Sequence, residues 1–305
     1  MTNLLRLMQS IDRRWIYLAF TIVVLVALCF SHPVENPIIL PPVQHLYDAM
    51  QHAKTTPTDG HIVLLSMTIS AGSKAENWNQ ARAIMRHLML AHKRFAVFSF
   101  DQQGVELTYQ MALDLAKHYH YHYGTDWIHL GYSLGTTAFF KGISKNLPEA
   151  FGNTDINGDP LVKFPIMKGI NTANNIAVLV EVTASSSLGE WMGLVQPATK
   201  PRLKLGYACT GISAAEAYQY LDSGQLVGML PGLKGASDYE TLVDNQEREL
   251  IPDPKLRYNP KLSTTLPMPA PARVLMFPEG MAHLLVILLI ILGNIGLLLS
   301  RRHRA

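Results

Sequence analysis

Residues 61–132 contain three apolar segments that decide the fold: HIVLLSMTIS (His61–Ser70), RFAVFSF (Arg94–Phe100) and WIHLGY (Trp127–Tyr132). Each segment is apolar almost throughout and has the length of a strand. Two segments of helical periodicity, Ala75–His92 and Thr108–Tyr121, separate them. Strands that are apolar throughout and alternate with helices are typical of a parallel sheet that is covered on both faces.

The same alternation continues toward the carboxyl terminus. We predict strands at Ile176–Val182 and Leu203–Ala208, and helices at Ser213–Ser223 and Tyr239–Glu249. Because nearly all crossovers between parallel strands are right-handed, the pattern predicts an α/β fold, a Rossmann-like and mostly parallel open sheet with helices on both faces. The glycine-rich stretch Gly228–Gly235 is interpreted as a packing loop, since it lacks the Lys-Ser/Thr ending of a phosphate-binding loop.

Two apolar runs flank this domain and predict transmembrane helices at 15–31 and 281–300. Arginines stand on the outer side of both runs: Arg6, Arg13 and Arg14 before the first, and Arg301, Arg302 and Arg304 after the second. Because basic residues stay in the cytoplasm, we predict a protein of the cytoplasmic membrane with two spans, both termini cytoplasmic and the main domain extracytoplasmic or periplasmic. The alternative for the first run is a cleaved signal peptide, which would leave the second run as the anchor.

The predicted organisation has seven parts: a cytoplasmic N-terminus (1–14), a span (15–31), a proline-containing connector with a short helix (32–60), the α/β domain (61–249), a proline-rich strap (250–280), a second span (281–300) and a cytoplasmic tail (301–305). Charged residues make up 16% of the chain and hydrophobic ones 48%. Soluble domains carry roughly 25% charged residues, so the composition favours a membrane protein and excludes a disordered chain. With only Cys29 and Cys209, a disulfide scaffold is excluded too.

The carboxyl ends of the predicted strands are rich in hydroxyl groups and glycines. Open α/β sheets bind ligands at this edge, and small donors in front of helix N-termini can hold an anion. The candidate ligand-binding residues are Ser70, Gly72, Ser73, Asp101, Gly131, Ser133, Gly135, Ser185, Ser186 and Thr210. The same residue types cap helices, and capping accounts for most of these residues without a ligand.

The sequence GYSLG at Gly131–Gly135 follows a strand and precedes a helix, which is the context of a nucleophile elbow with Ser133 as nucleophile. In that fold an acid and a histidine follow the serine along the chain. After Ser133 the only histidines are His283, inside the second span, and His303, in the tail. Neither can reach an extracytoplasmic Ser133, so a serine hydrolase remains an alternative and no catalytic residue is assigned.

A histidine pair provides a metal hypothesis. His118 and His122 have the i, i+4 spacing of two metal ligands on a helix face. A third ligand cannot be named, and solvated histidines near a helix C-terminus interact favourably with its dipole. We therefore expect no metal and no cofactor.

The second apolar run contains polar and small residues that are candidates for a contact between membrane helices: His283, Gly293, Asn294 and Gly296. Polar side chains inside a membrane bond across helices, and small residues let helices approach closely. Alternatively, Asn294 makes no helix contact and lies near the inner interface, where water reaches its side chain.

Two strings, GQLVGMLPGLKGASDYE (Gly224–Glu240) and AHLLVILLIILGN (Ala282–Asn294), resemble those of an uncharacterised group of bacterial membrane-anchored proteins with an α/β extracytoplasmic domain. The resemblance implies the anchored architecture and brings no activity, cofactor or catalytic residue.

From these features we expect a non-catalytic scaffold or partner-binding subunit of a membrane assembly. Its expected partners are the lipid bilayer and other membrane proteins or copies of itself. Nucleic acid is not expected, because a net charge of +3 provides no basic stripe. The alternatives are the serine hydrolase and a small-ligand sensor for an anion.

Overall fold

The computed structural model describes residues 12–33, 37–185, 187–259 and 271–302. Its helices are α1 (Arg13–Cys29), α2 (Pro41–Gln51), α3 (Lys74–Leu90), α4 (Gln102–Tyr119), α5 (Thr137–Lys145), α6 (Leu147–Ala150), α7 (Leu188–Glu190), α8 (Gly211–Asp222), α9 (Gly232–Leu250) and α10 (Ala272–Arg302). Its strands are β1 (Ile62–Thr68), β2 (Phe95–Ser99), β3 (Trp127–Tyr132), β4 (Ile176–Thr183), β5 (Leu205–Cys209) and β6 (Leu226–Pro231). Two compact units result, Met1–Glu35 with Arg273–Ala305, and Asn36–Ala272.

The six strands form one sheet in the order β3-β2-β1-β4-β5-β6, and every neighbouring pair is parallel. Strand order reverses between β1 and β4, which is the switch point at which doubly wound sheets open a crevice. The predicted α/β class, a parallel sheet with helices around it, is confirmed.

Helices cover both faces of the sheet, because successive side chains of a strand point to opposite sides. Val63 and Leu65 of β1 belong to the core that α2, α3, α4 and α9 cover. Ile62 and Leu64 belong to the opposite core, under α5, α8 and the helical turns around Trp191. Each central strand is therefore buried on both of its faces, which explains why these strands are apolar throughout.

The interpretation of Gly228–Gly235 as a loop is wrong: residues up to Pro231 form β6, and α9 begins at Gly232. Helix α2 packs on β6 so closely that a Cβ at Gly228 would lie 2.4 Å from the Leu46 backbone nitrogen and 2.5 Å from the Pro42 carbonyl oxygen. Glycine is used in this strand because it lets a helix backbone touch the sheet.

Two arginines join α3 to α9 in the core. The Arg82 guanidinium lies 2.9 Å from Glu240, and the Arg86 guanidinium lies 2.8 Å from Asp244 and 2.9 Å from Glu247. Both arginines and both glutamates are buried. Buried charges of this kind are tolerated only when they are paired and hydrogen-bonded.

The second apolar run forms α10, which begins at Ala272 and continues through Pro278. The proline-rich strap predicted for 250–280 is therefore too long at its carboxyl end, because residues 272–280 are already helical. Among the residues that the structure describes, Ala272–Ile295 is the one helix long and apolar enough to cross a membrane, with a mean hydropathy of 2.3. The first run forms α1, whose 17 residues extend about 26 Å.

Gly228→Ala should lower the free energy of unfolding by about 1–3 kcal/mol, because the added methyl group meets backbone atoms that cannot rotate away. Thermal unfolding of the purified chain followed by circular dichroism measures the change. Gly189→Ala is the matched control, since nothing lies within 4 Å of its added Cβ. Equal stability of the two variants would contradict the close packing of α2 on β6.

Candidate ligand site at the sheet switch point

The parallel sheet brings most of the predicted ligand-binding residues to one edge. Ser70 and Ser73 follow β1, and Ser185 follows β4, the neighbouring strand at the switch point. Ser133 follows β3, which is the outer strand on that side of the sheet. Ser186 lies outside the described residues. We call the space above the carboxyl ends of β1 and β4 the crevice.

Helix N-termini near the crevice already hold carboxylates of the chain itself. The Asp101 side chain accepts a hydrogen bond from the Gly104 backbone N–H at 2.8 Å and caps α4. The Glu76 side chain accepts one from the Gly211 N–H, also at 2.8 Å, at the start of α8. These carboxylates occupy the position that an external anion would take. An external anion at either helix N-terminus would have to displace one of these carboxylates.

The remaining predicted residues shape turns. The Ser73 hydroxyl accepts a hydrogen bond from the Ser70 backbone N–H at 3.2 Å and closes the turn after β1. The Thr210 hydroxyl lies 3.2 Å from that of Ser213 in the first turn of α8. Both residues stand at the N-cap position of a helix, but neither side chain makes a cap hydrogen bond.

Ser133 does not have the backbone of a nucleophile elbow. In an elbow the serine sits on a sharp, strained turn that leads directly into a helix. The described non-glycine residues with positive φ do not include Ser133, although Gly131 has a φ of +79°. Helix α5 begins at Thr137, four residues after Ser133.

The nearest upstream histidine is also unsuited to act as a base for Ser133. His129 is fully buried, its Nδ1 accepts a hydrogen bond from the Gly131 N–H at 3.0 Å, and its Nε2 lies 3.0 Å from the Thr108 hydroxyl. Both ring nitrogens are thus engaged within the chain. Burial lowers the pKa of His129 to about 3, so the imidazole is neutral.

The sheet also places a carboxyl group that the sequence interpretation missed. Glu181 of β4 is fully buried and stands beside Ser66 of β1 across the switch point. Its Oε1 accepts hydrogen bonds from the Ser187 hydroxyl at 2.5 Å and the Trp191 indole N–H at 3.2 Å. Within the described part of the chain, Glu181 Oε2 and Ser66 Oγ have no hydrogen-bond partner. A glutamate inside the apolar run IAVLVEV was the signal for this site.

Burial controls the charge of Glu181. Desolvation raises its pKa to about 7, against the lowering effect of the two hydrogen bonds. The carboxyl group can therefore exchange a proton near neutral pH. When protonated, it has a donor to offer to an acceptor on a ligand or on Ser66.

A chain of hydroxyl groups leads from Glu181 to the surface. The Ser187 hydroxyl lies 2.8 Å from that of Ser185, which in turn lies 2.8 Å from that of Thr183. Ser185 is exposed to solvent. Ser185, from the predicted set, is thus connected by hydrogen bonds to the buried carboxyl group, which gives the crevice a route for proton exchange.

The histidine pair is not formed on a helix face as predicted. Helix α4 ends at Tyr119, and His120 adopts a left-handed conformation with a φ of +56°. His122 therefore lies beyond the helix, where its Nδ1 is 3.2 Å from Asp126. Among the residues that the structure describes, no group of three or more His, Cys, Asp or Glu side chains is arranged to hold a metal ion.

The residues predicted for a contact between membrane helices lie on α10. His283 and Asn294 are exposed, and nothing lies within 4 Å of a Cβ built on Gly293. The surroundings of Gly296 lie outside what the structure describes.

Comparison of the chain with protein-family models, with characterised proteins and with solved structures finds no match. The function must therefore be argued from the geometry of the chain itself.

Glu181→Gln should remove a pH dependence from the stability of the domain. Because the pKa of this group is about 7 in the fold and 4.5 in the reference state, the folded protein keeps a proton that the unfolded chain releases. The free energy of unfolding of the natural chain should therefore fall by about 3 kcal/mol relative to the variant as pH rises from 4.5 to about 7, and then level off.

Urea unfolding between pH 4.5 and 8 measures this difference. Glu216→Gln, the same change at an exposed glutamate, should leave the pH profile of the natural chain within about 0.5 kcal/mol. Parallel profiles for the natural chain and Glu181→Gln would show that Glu181 does not titrate differently on folding.

Proposed function

We propose that the chain is a membrane-anchored, extracytoplasmic α/β subunit that binds a partner within a membrane protein assembly and has no catalytic role. The observation that carries the proposal is the exposed apolar surface of α10. Leu284, Ile287, Leu288, Ile290 and Leu298 are each more than half exposed. Burying each such side chain is worth about 1.5–3 kcal/mol, which a bilayer supplies and water does not.

Helix α1 supports a second anchor. Its apolar residues Leu18, Ile22 and Leu25 are about half exposed, and Trp15 and Tyr17 are about two-thirds exposed at its beginning. Tryptophan and tyrosine are enriched where membrane helices meet the interface. The arginines at the beginning of α1 and at the end of α10 favour cytoplasmic termini, and the domain between the helices is then extracytoplasmic.

The surface of α10 also supports lateral binding. Asn294 and His283 present polar groups within the apolar part of α10, residues 281–299. In a bilayer such groups are stabilised by hydrogen bonds to a neighbouring helix. A partner helix, or a second copy of this chain, would satisfy them.

A second candidate function is the binding of a small ligand in the crevice. Glu181 favours it, because a buried carboxyl group with an unpartnered oxygen stands at the switch point where such sheets bind ligands. The carboxylates of Glu76 and Asp101 nearby favour a ligand with hydroxyl groups or a positive charge.

The proposed topology predicts the accessibility of introduced cysteines. In a Cys29→Ser background, which removes the exposed native thiol, Val162→Cys should react with a membrane-impermeant maleimide in intact cells. Val162 is 92% exposed in the domain, whereas the remaining native Cys209 is buried. Asp12→Cys, at the exposed start of α1, should react only after the cells are opened.

Labelling of both positions only after lysis would place the domain in the cytoplasm and contradict the topology. Labelling of both in intact cells would contradict the cytoplasmic N-terminus.

The proposed assembly function predicts that the purified particle is heavier than a single chain. Native mass spectrometry of the full chain, extracted in mild detergent, should show a complex larger than the monomer of 33.9 kDa, with a second protein or a second copy. Asn294→Leu should weaken it, whereas Leu292→Ile, an apolar change on the same helix, should not. A monomer with a small bound mass would favour the crevice function, and a bare monomer would contradict both functions.

A further inference from the structure

A cavity opens at the amino edge of the sheet, where α3 and α4 end and lead into β2 and β3. The C-terminal ends of these helices and residues 250–259 enclose a cleft of about 870 Å³. Small-molecule sites typically have volumes of about 300–1,000 Å³. We call this space the basic cleft; all of its lining residues belong to the α/β unit.

The basic cleft has an apolar lining. Met89 and Leu90 of α3 are buried in its wall, whereas Leu250 and Leu256 are 57% and 64% exposed. These two exposed leucines line the cavity and provide a surface for an apolar group.

Basic side chains surround this apolar lining. Lys117 of α4 and Lys255 lie at the cleft, and among the ion pairs of the described residues neither ammonium group has an acidic partner within 4.0 Å. The Arg257 guanidinium donates to the carbonyl oxygens of Ile251 at 2.8 Å and Pro252 at 2.6 Å, which keeps the segment folded against the domain.

The net charge of the lining is positive. Lys117, Lys255 and Arg257 contribute three positive charges and Asp114 one negative charge, which leaves +2 from these four groups. The C-terminal dipoles of α3 and α4 add about half a negative charge each, which stabilises some basic residues at this place. Roughly one positive charge remains uncompensated after both dipoles are counted.

Two histidines at the cleft occupy positions that normally take glycine. His92 and His120 have φ angles of +51° and +56°, and they are two of the three described non-glycine residues with positive φ. A side chain is disfavoured in this left-handed conformation, and non-glycine residues that adopt it cluster at functional sites. Their imidazole N–H groups add hydrogen-bond donors to the charged rim.

From these observations we propose that the basic cleft binds an amphiphilic anion, with an alkyl chain on the exposed leucines and a carboxylate or phosphate head group on Lys117, Lys255 and the imidazoles. This inference uses only the α/β unit and does not rest on the proposed assembly function. The head group could come from a bilayer phospholipid or from a free fatty acid, and the test below separates the two.

The test uses the full chain in nanodiscs of phosphatidylcholine and a palmitic acid that carries a photoreactive diazirine. Cross-linked peptides identified by mass spectrometry should map to the cleft, within residues 89–92, 117–120 or 250–259. The Lys117→Glu/Lys255→Glu variant should lose cross-linking roughly fivefold, because two exposed attractions become repulsions. Lys168→Glu/Lys204→Glu, the same change at two exposed lysines outside the cleft, should keep it.

Two further measurements test the apolar lining and identify the source of the head group. Leu256→Gln should also reduce cross-linking, since it removes part of the apolar lining. Competition by phosphatidylglycerol in the nanodisc would identify a bilayer lipid as the source, and competition by free dodecanoate alone would identify a fatty acid. Thermal unfolding of each variant shows whether the fold is intact.

The proposal would be overturned by equal cross-linking of the matching palmityl alcohol, which lacks the charge. It would also be overturned by cross-links confined to α1 or α10, or by unchanged cross-linking in the folded double-glutamate variant. Displacement of the probe by inorganic phosphate as efficiently as by dodecanoate would show that the leucines do not contribute to binding, and it would contradict the proposal.

Discussion

The pairing of buried charges between α3 and α9 is the interaction on which the rest of the domain depends. Arg82 faces Glu240, and Arg86 faces Asp244 and Glu247, beside the apolar core on that face of the sheet. A buried pair adds little stability compared with an apolar pair, but the loss of one partner leaves an uncompensated charge and costs about 3–5 kcal/mol. These contacts therefore fix how the helix after β1 meets the helix after β6.

Helix α3, which carries both arginines, extends toward both candidate sites. At one end of α3, the Gln80 amide donates to the carbonyl oxygens of Cys209 and Leu230, which close β5 and β6 near the crevice. At the other end, the Arg86 guanidinium lies 5.0 Å from the Tyr258 ring, whose residue belongs to the segment that encloses the basic cleft. A single helix thus connects an edge that carries acidic side chains with an edge that carries basic ones.

The strands that were predicted are those whose burial is continuous, because a strand covered on both faces must be apolar at every position. The sixth strand was missed since Gly228 and Pro231 are unfavourable in strands, and only the approach of α2 explains the glycine. Glu181 was missed for a related reason: its role depends on Ser66 of β1, which is 115 positions away in the chain and next to it in the sheet. The contact of Glu76 with the start of α8 could not be read from the sequence either, because the two lie more than a hundred residues apart in the chain.

Local patterns by themselves determined the α/β class, the apolar run that becomes α10 and the hydroxyl-rich strand ends, because periodicity and residue type act over a few residues. Tertiary structure alone decided which strand ends become neighbours, since the position of each strand in the sheet is set by crossover packing. It also ended α4 at Tyr119, which separates His118 from His122, and it left Ser133 just after an outer strand, without strained backbone. The charge of a site follows from which distant side chains the fold brings together and removes from water, and no short segment of the sequence contains that information.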